Sequence, residues 1–262
     1  MRAGERKLFF VFIAPPARHN VRVTGPFLNA LGILLGALLG LAWRGQWFAR
    51  NQNYLKSALG AFTAFFGLQL VWLNVGGTFT TVLKQLLLAL LAVVLGHLAG
   101  KILRLQKISN RLGRLASARL AAAQKNPPAP PLAGFTAATI LFCAAPLGVI
   151  GAVTDGLSGY FQLLALKAVM DGLAMTGFVK LFRWPAALAA LPVFLFLTAI
   201  AAAVQTYALP ALAARNLVEP TGAAAGLVVC AVSLVVLEVR RVELANYLPA
   251  LVIAPLLGWW LR

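Results

Sequence analysis

The chain has 262 residues, of which 61% are hydrophobic and only 11% are charged. Soluble domains usually contain about 45–50% apolar and about 25% charged residues, so the composition excludes an ordinary soluble protein. The net charge of +17 does not indicate a nucleic-acid-binding protein, because the basic residues stand between apolar segments instead of on one face of a soluble fold. We therefore predict an all-α integral membrane protein, a polytopic helix bundle.

The first 25 residues differ from the rest of the chain. A short apolar run at 8–14 is flanked by basic residues and closed by Pro15 and Pro16, without the small-x-small cleavage site of a signal peptide. We interpret residues 1–25 as an N-terminal extension outside the functional chain, or as a misplaced start. A single integral membrane domain is then expected over residues 26–262.

Eight apolar segments follow, each close to the roughly 20 residues that cross a bilayer as a helix. They are Pro26–Trp43, Ser57–Asn74, Leu83–Gly100, Phe135–Val153, Tyr160–Phe182, Ala186–Ala208, Thr221–Glu238 and Asn246–Leu261. In the first segment, Gly32, Gly36 and Gly40 recur at a spacing of four. This spacing is typical of a helix face that packs closely against another helix.

One long polar connection, residues 101–131, interrupts these segments. It carries seven Lys or Arg and no acidic residue, and it ends in a proline-rich run. Leu103, Ile108, Leu112 and Leu115 fall near one helical face, with basic residues on the others. We favour a cytoplasmic juxtamembrane helix that sets the topology, and the alternative is a site for anionic lipid or a partner protein.

The basic residues also predict the orientation in the membrane. If residues 101–131 are cytoplasmic, the connections on that side hold fourteen Lys or Arg, and the other side holds only Lys84, Arg215 and Arg262. The positive-inside rule then predicts a multi-pass protein of the bacterial inner membrane with both termini outside. The five bases of residues 1–22 would fall on the outside, which is a second reason to set the extension apart.

Two weak internal similarities suggest a duplication, which often locates the binding region of a transporter. In a parallel register of four plus four segments, LRLQKI at 103–108 aligns with LEVRRV at 237–242, and CAAPLGVIG at 143–151 aligns with VIAPLLGWW at 252–260. In an inverted register, the first three segments pair with the last three. The sequence leaves both registers open.

The fifth segment carries the sharpest signal for function. Lys167 and Asp171 are four residues apart and share a helical face, and Asp171 lies roughly 16 Å along the helix axis from Tyr160, near the bilayer midplane. A lone ion there costs at least about 2.5–3.5 kcal/mol, so the pair should face the bundle interior or a water-filled cavity. Two interpretations stay open: a substrate, ion or proton site, and a structural ion pair between helices.

Four other polar residues are candidates for substrate or ion binding. Asp155, in TDGLSG, is expected at the outer mouth between the fourth and fifth segments, in a sequence that also indicates a simple turn. Asn29 and Glu219 are expected to open on the same outer side, although the Glu-Pro-Thr sequence at Glu219 is also typical of a helix start. On the inner side, Glu238 precedes two arginines, which favours an ion pair at the membrane interface.

The chain contains no HExxH, GxSxG, CxxC or GxxxxGK[ST] motif, and its two cysteines lie within apolar segments. We therefore predict no enzyme activity, no cofactor and no metal site. The expected function is a transporter or channel for a small solute or ion. The alternative is a non-transporting module that binds a partner protein or anionic lipid through residues 101–131. The expected partners are the lipid bilayer and this solute. A homo-oligomer is left open, and binding to nucleic acid is not expected.

Several stretches resemble the prokaryotic DUF554 family of membrane proteins. They are FLNALGILLGALLG at 27–40, TAATILFCAAPLGVIGAVTDGLSG at 136–159, LKAVMDG at 166–172, EPTGAAAGLVV at 219–229 and LEVRRVELANYLPALVIAPLL at 237–257. The resemblance covers about residues 23–262 and implies a polytopic inner-membrane protein, a transporter without an established substrate.

The chain departs from the family pattern at three places. Members usually carry Glu where Lys101 stands and Ser where Ala168 stands, and often a polar Tyr-Gln-Gly near Phe196–Thr198. These departures remove support for a carboxylate role at the inner end of the third segment and for a polar patch in the sixth.

Overall fold

The computed structural model describes residues 23–42, 51–125 and 130–261, which form helices and turns without a strand. The α-helices are α1 (Thr24–Ala42), α2 (Gln52–Leu73), α3 (Phe79–Ile102), α4 (Leu105–Lys125), α5 (Pro131–Ala144), α6 (Pro146–Ser158), α7 (Gln162–Phe182), α8 (Ala190–Ala203), α9 (Leu209–Ala213), α10 (Val218–Val236) and α11 (Ala250–Trp260). Two 3-10 helices (Trp184–Ala189 and Leu244–Tyr247) and a π-helical stretch (Val204–Ala208) adjoin them. The predicted all-α fold is confirmed, and the proposed extension at 1–22 lies outside the described residues.

Six segments of the described chain are long and apolar enough to cross a membrane. They are α1, α2, α3, α7, the continuous stretch Trp184–Ala213 that contains α8 and α9, and α10. The pair α5–α6 passes the same test together, and Leu244–Trp260 is a shorter apolar helix. The prediction of about eight segments agrees with this arrangement.

The fourth predicted segment is a broken helix. We expected one continuous helix over Phe135–Val153, but α5 and α6 meet at an angle of 58°. Ala145 between them is extended, with ψ of 119°, and Pro146 begins α6. A proline disfavours helical geometry in the residue before it and lacks the N–H that would continue the ladder, so the Ala-Pro sequence causes the break.

The glycine face of α1 packs directly on α7. A Cβ at Gly32 or Gly36 would collide with the backbone carbonyls of Ala168 and Gly172, respectively, and one at Gly172 would lie 2.7 Å from the carbonyl oxygen of Gly32. The two backbones are therefore as close as glycine permits, as the spacing of four predicted.

The helix directions agree with eight passes. Gly32 lies beside Ala168 and Gly36 beside Gly172, so α1 and α7 run parallel. A parallel pair needs an odd number of passes between its members, and α2, α3 and the bent pair α5–α6 supply three. In contrast, α2 runs antiparallel to α10, since Gly60 lies beside Leu237 and Gly67 beside Gly226.

The two stretches aligned in the parallel register share an unusual backbone conformation. Helix α3 ends at Ile102 and α10 ends at Val236, and in each case the second residue beyond the helix is left-handed: Arg104 with φ of 55° and Glu238 with φ of 59°. This conformation ends many helices, and it also occurs at Arg183 and Asn216 in the described part of the chain, so both registers stay open.

The basic connection forms α4, a helix as predicted, but its protein-facing side is different from the predicted one. Ala116 and Ala123 are buried and join the apolar core near α5. Ile108 and Leu115, which we placed on the apolar face, stay exposed. Alanine allows the closer helix contact, which leaves the larger side chains outside it.

We expect Gly36→Ala to lower the free energy of unfolding by about 1–3 kcal/mol, because the added methyl group must push α1 away from α7. Gly177→Ala is the matched control on α7, since a Cβ there meets no atom within 4 Å. It should be neutral or stabilising by up to about 1 kcal/mol. Thermal unfolding of both purified variants measures the difference, and an equal effect of the two would contradict the close packing.

Candidate functional site

Lys167 and Asp171 form a buried ion pair in the middle of α7. The Lys167 ammonium donates a hydrogen bond to Asp171 Oδ2, and the two residues are 1% and 6% exposed. Asp171 is the tenth of the helix's 21 residues, about 14 Å along its axis. The predicted pairing is thus present in the structure, Asp171 lies near the middle of α7, and the pair faces the protein interior.

Asn29 of α1 completes this cluster. Its Nδ2 donates to Asp171 Oδ2 at 3.2 Å, and the residue is fully buried. Our expectation that Asn29 opens on the outer side is wrong. Asn29 lies on the same face as Gly32 and Gly36, so the close approach of α1 to α7 carries its side chain onto the carboxylate.

The cluster lies beside the break between α5 and α6. The Lys167 ammonium is 5.7 Å from the ring centroid of Phe142, in the last turn of α5, within the range of a cation–π interaction. On the other side of the break, a Cβ at Gly148 would lie 2.7 Å from Lys167 Cε. Gly148 thus leaves the space through which the lysine side chain passes.

Sequence reasoning missed these two contacts and the break itself. Phe142 and Gly148 look like ordinary residues of an apolar segment, and only the fold brings them to Lys167. The Ala145–Pro146 sequence was the one available signal, because a residue before proline avoids helical geometry.

The cluster has unused hydrogen-bonding capacity among the described residues. Asn29 Oδ1 is buried and accepts no hydrogen bond. An ammonium group has three N–H donors, but the one hydrogen bond that Lys167 makes within the described chain is to Asp171. Buried polar groups nearly always form hydrogen bonds. The amide oxygen can therefore accept a hydrogen bond from a small polar ligand or water, and the ammonium can donate one.

Asp155 is separate from this cluster. It lies in a helix, whereas its sequence also indicated a loop turn between the fourth and fifth segments. It belongs to the last turn of α6 and is buried, and its Oδ2 accepts a hydrogen bond of 3.1 Å from the backbone N–H of Gly25. The turn begins at Gly159, which has φ of 73°. Asp155 therefore places a carboxylate at the N-terminal end of α1, where the helix dipole favours negative charge.

Glu219 also lies away from the Lys167–Asp171 pair. It occupies the first turn of α10, which supports the helix-start interpretation. Its side chain lines a cavity of about 170 Å³ together with Asn74, Gln85 and Asn216.

Glu238 lies at the opposite end of α10 and forms an ion pair, although its partner is Lys56 at 2.6 Å instead of the neighbouring arginines. The hydrogen bond from Lys56, together with its charge, lowers the pKa of the exposed Glu238 carboxyl. Of the six predicted residues, the structure thus joins Asn29, Lys167 and Asp171 and separates the other three.

We expect Lys167→Met and Asp171→Asn each to lower the free energy of unfolding by about 3–5 kcal/mol, because each leaves one buried polar partner uncompensated. The double variant should lose clearly less than the sum of the two single losses, since it removes both charges together. A double-mutant cycle from denaturant or thermal unfolding measures this coupling, and strictly additive losses would show that the two residues do not act as a pair.

Comparison with known proteins gives matches over nearly the whole chain. The family model described as "Protein of unknown function (DUF554)" matches residues 24–259. The chain is 28% identical over 240 residues to "Uncharacterized protein YqgA" of Escherichia coli (strain K12), covering 91% of this chain and 97% of the relative. It is 23% identical over 239 residues to "Uncharacterized membrane protein YdfK" of Bacillus subtilis (strain 168), covering 88% and 93%. No solved structure matches the chain.

Proposed function

This chain belongs to the DUF554 family, as its sequence predicted, and on that premise we propose that it is a transporter for a small solute or ion. That it is a multi-pass membrane protein follows from its apolar helices and from the relative named as a membrane protein. The proposed site is the cluster of Asn29, Lys167 and Asp171. Its burial beside a helix break, at the middle of the apolar helix α7, is the observation that carries the proposal.

The unused hydrogen-bonding positions favour a binding site over a purely structural ion pair. A pair that only held α1 and α7 together would gain nothing from a buried amide oxygen without a donor, because an unsatisfied buried polar atom costs about 1–3 kcal/mol. Asn29 Oδ1 is such an atom, and it belongs to the same side chain that donates to Asp171. A bound cation or donor group at this oxygen would remove the cost.

The helix break gives the second line of support. Discontinuous membrane helices place helix ends, with their unpaired backbone groups, at the binding sites of many transporters. Lys167 contacts the last turn of α5 through Phe142 and the first turn of α6 at Gly148.

The site is closed in this conformation. Lys167, Asp171 and Asn29 are all almost inaccessible, so a solute enters or leaves only after helices around the cluster separate. We propose that this structure corresponds to an occluded state and that transport alternates between openings toward the two sides of the membrane. The basic connections then face the cytoplasm of a bacterial cell, with both termini outside.

The test begins with a thermal-shift screen of the purified protein against ions and small metabolites, since a ligand of the folded state raises its apparent stability. Uptake of that ligand is then measured in proteoliposomes. Asp171→Asn and Lys167→Met should each reduce uptake by roughly tenfold or more, because each removes a charge that the site presents to the solute.

Thr63→Val is the matched control for this experiment. Thr63 is fully buried in α2, and its hydroxyl donates only to Leu59 O within the same helix. Uptake by this variant should stay close to that of the wild-type protein. If Asp171→Asn and Lys167→Met folded normally and transported the ligand at the wild-type rate, the pair would not be the transport site.

A further inference from the structure

The basic helix α4 lies outside the proposed transport site, and its position at one end of the bundle is well defined. At its start, the backbone N–H of Gln106 donates to Asn246 Oδ1 at 3.0 Å, and the backbone N–H of Ala245 donates to Gln106 Oε1 at 3.1 Å. These reciprocal bonds hold α4 to the 3-10 helix before α11.

Both ends of α4 lie at the same end of the bundle. Asn246 packs against Gly100 in the last turn of α3, so the start of α4 lies at the end of α3. The chain returns from α4 into α5, where Gly134 lies against Phe182 at the end of α7. Helices α3 and α7 end on the same side, because they are the third and fifth passes. The helix therefore lies across the end of the bundle at which the apolar helices α3 and α7 end.

Around its axis, α4 presents three different faces. One face packs on the protein through Ala116 and Ala123. A second carries three exposed basic residues at helical spacing, Lys107, Arg111 and Arg114. Between these two faces runs a third, apolar stripe.

This stripe is formed by Ile108 and Leu115, seven residues apart, which are 56% and 50% exposed. Exposed Ile and Leu next to a row of bases are typical of helices that lie in the membrane interface, with the apolar stripe in the acyl region and the bases on lipid headgroups. No acidic residue between 101 and 131 opposes the positive charge.

We propose that α4 binds the anionic phospholipid surface of the membrane. Ile108 and Leu115 insert at the boundary between headgroups and acyl chains, and Lys107, Arg111 and Arg114 bind lipid phosphates. Charge complementarity and the position of α4 beside the ends of membrane-spanning helices both favour this occupant over a water-soluble one.

The test uses the full-length protein in a neutral detergent. Thermal stability is followed while phosphatidylglycerol or phosphatidylcholine is added in mixed micelles, and the midpoint of the titration gives an apparent affinity. We expect stabilisation by phosphatidylglycerol, none of comparable size by phosphatidylcholine, and a weaker effect at high salt. A triple variant combines Lys107→Gln, Arg111→Gln and Arg114→Gln. Its apparent affinity for phosphatidylglycerol should be lower by roughly ten- to hundredfold.

A second triple variant removes the same charge elsewhere and serves as the control. Lys84, Arg240 and Arg241 are exposed bases outside α4, and their replacement by Gln should leave the response nearly unchanged. Ile108→Ser with Leu115→Ser tests the apolar stripe separately and should also weaken the response. All the substituted side chains are exposed, so size-exclusion profiles and stability without lipid should match those of the wild-type protein.

Four outcomes would overturn the proposal. An undiminished phosphatidylglycerol response of the α4 triple variant would show that these bases do not bind lipid, and an equal loss in the control variant would show a general charge effect. Equal stabilisation by water-soluble glycerol phosphate would assign the face to a free anion. Loss of a co-purifying protein from the triple variant with an unchanged lipid response would assign it to a protein partner.

Discussion

The close packing of α1 on α7 is the constraint on which the candidate site depends. Where the two helices touch, Gly32, Gly36 and Gly172 leave no room for a side chain, so backbone meets backbone. Asn29 lies one turn from Gly32 and is carried onto the Asp171 carboxylate by this approach. The same contact covers the ion pair from one side. Without it, Asp171 would lose its second hydrogen-bond donor and the pair would lose part of its shield from lipid.

The ion pair itself is a compromise between two large opposing effects. Removing Lys167 and Asp171 from water is costly, and their mutual attraction in a medium of low polarity roughly offsets that cost. Apolar side chains would be sufficient for a contact that only held α1 and α7 together. We propose that the pair, beside a helix break and next to an amide oxygen without a donor, serves to bind a ligand.

Several polar residues outside the cluster have local structural partners. Asp155 caps the beginning of α1, and Lys56 and Glu238 tie the start of α2 to the end of α10. The basic helix α4 is held at one end of the bundle by Gln106 and Asn246. The transport proposal and the lipid proposal thus rest on different residues at different depths, and either can stand without the other.

The sequence by itself determined the class of protein, the approximate number of segments and the ion pair. These features depend on composition and on short spacings: apolar runs of membrane length, and two charges four residues apart on one helix. Only the tertiary structure decided which residues join that pair. Asn29 and Asp171 are 142 residues apart, and the buried position of Asp155 depends on where α1 begins. Contacts between distant helices depend on packing geometry, because apolar segments resemble one another and a single sequence does not show which faces meet.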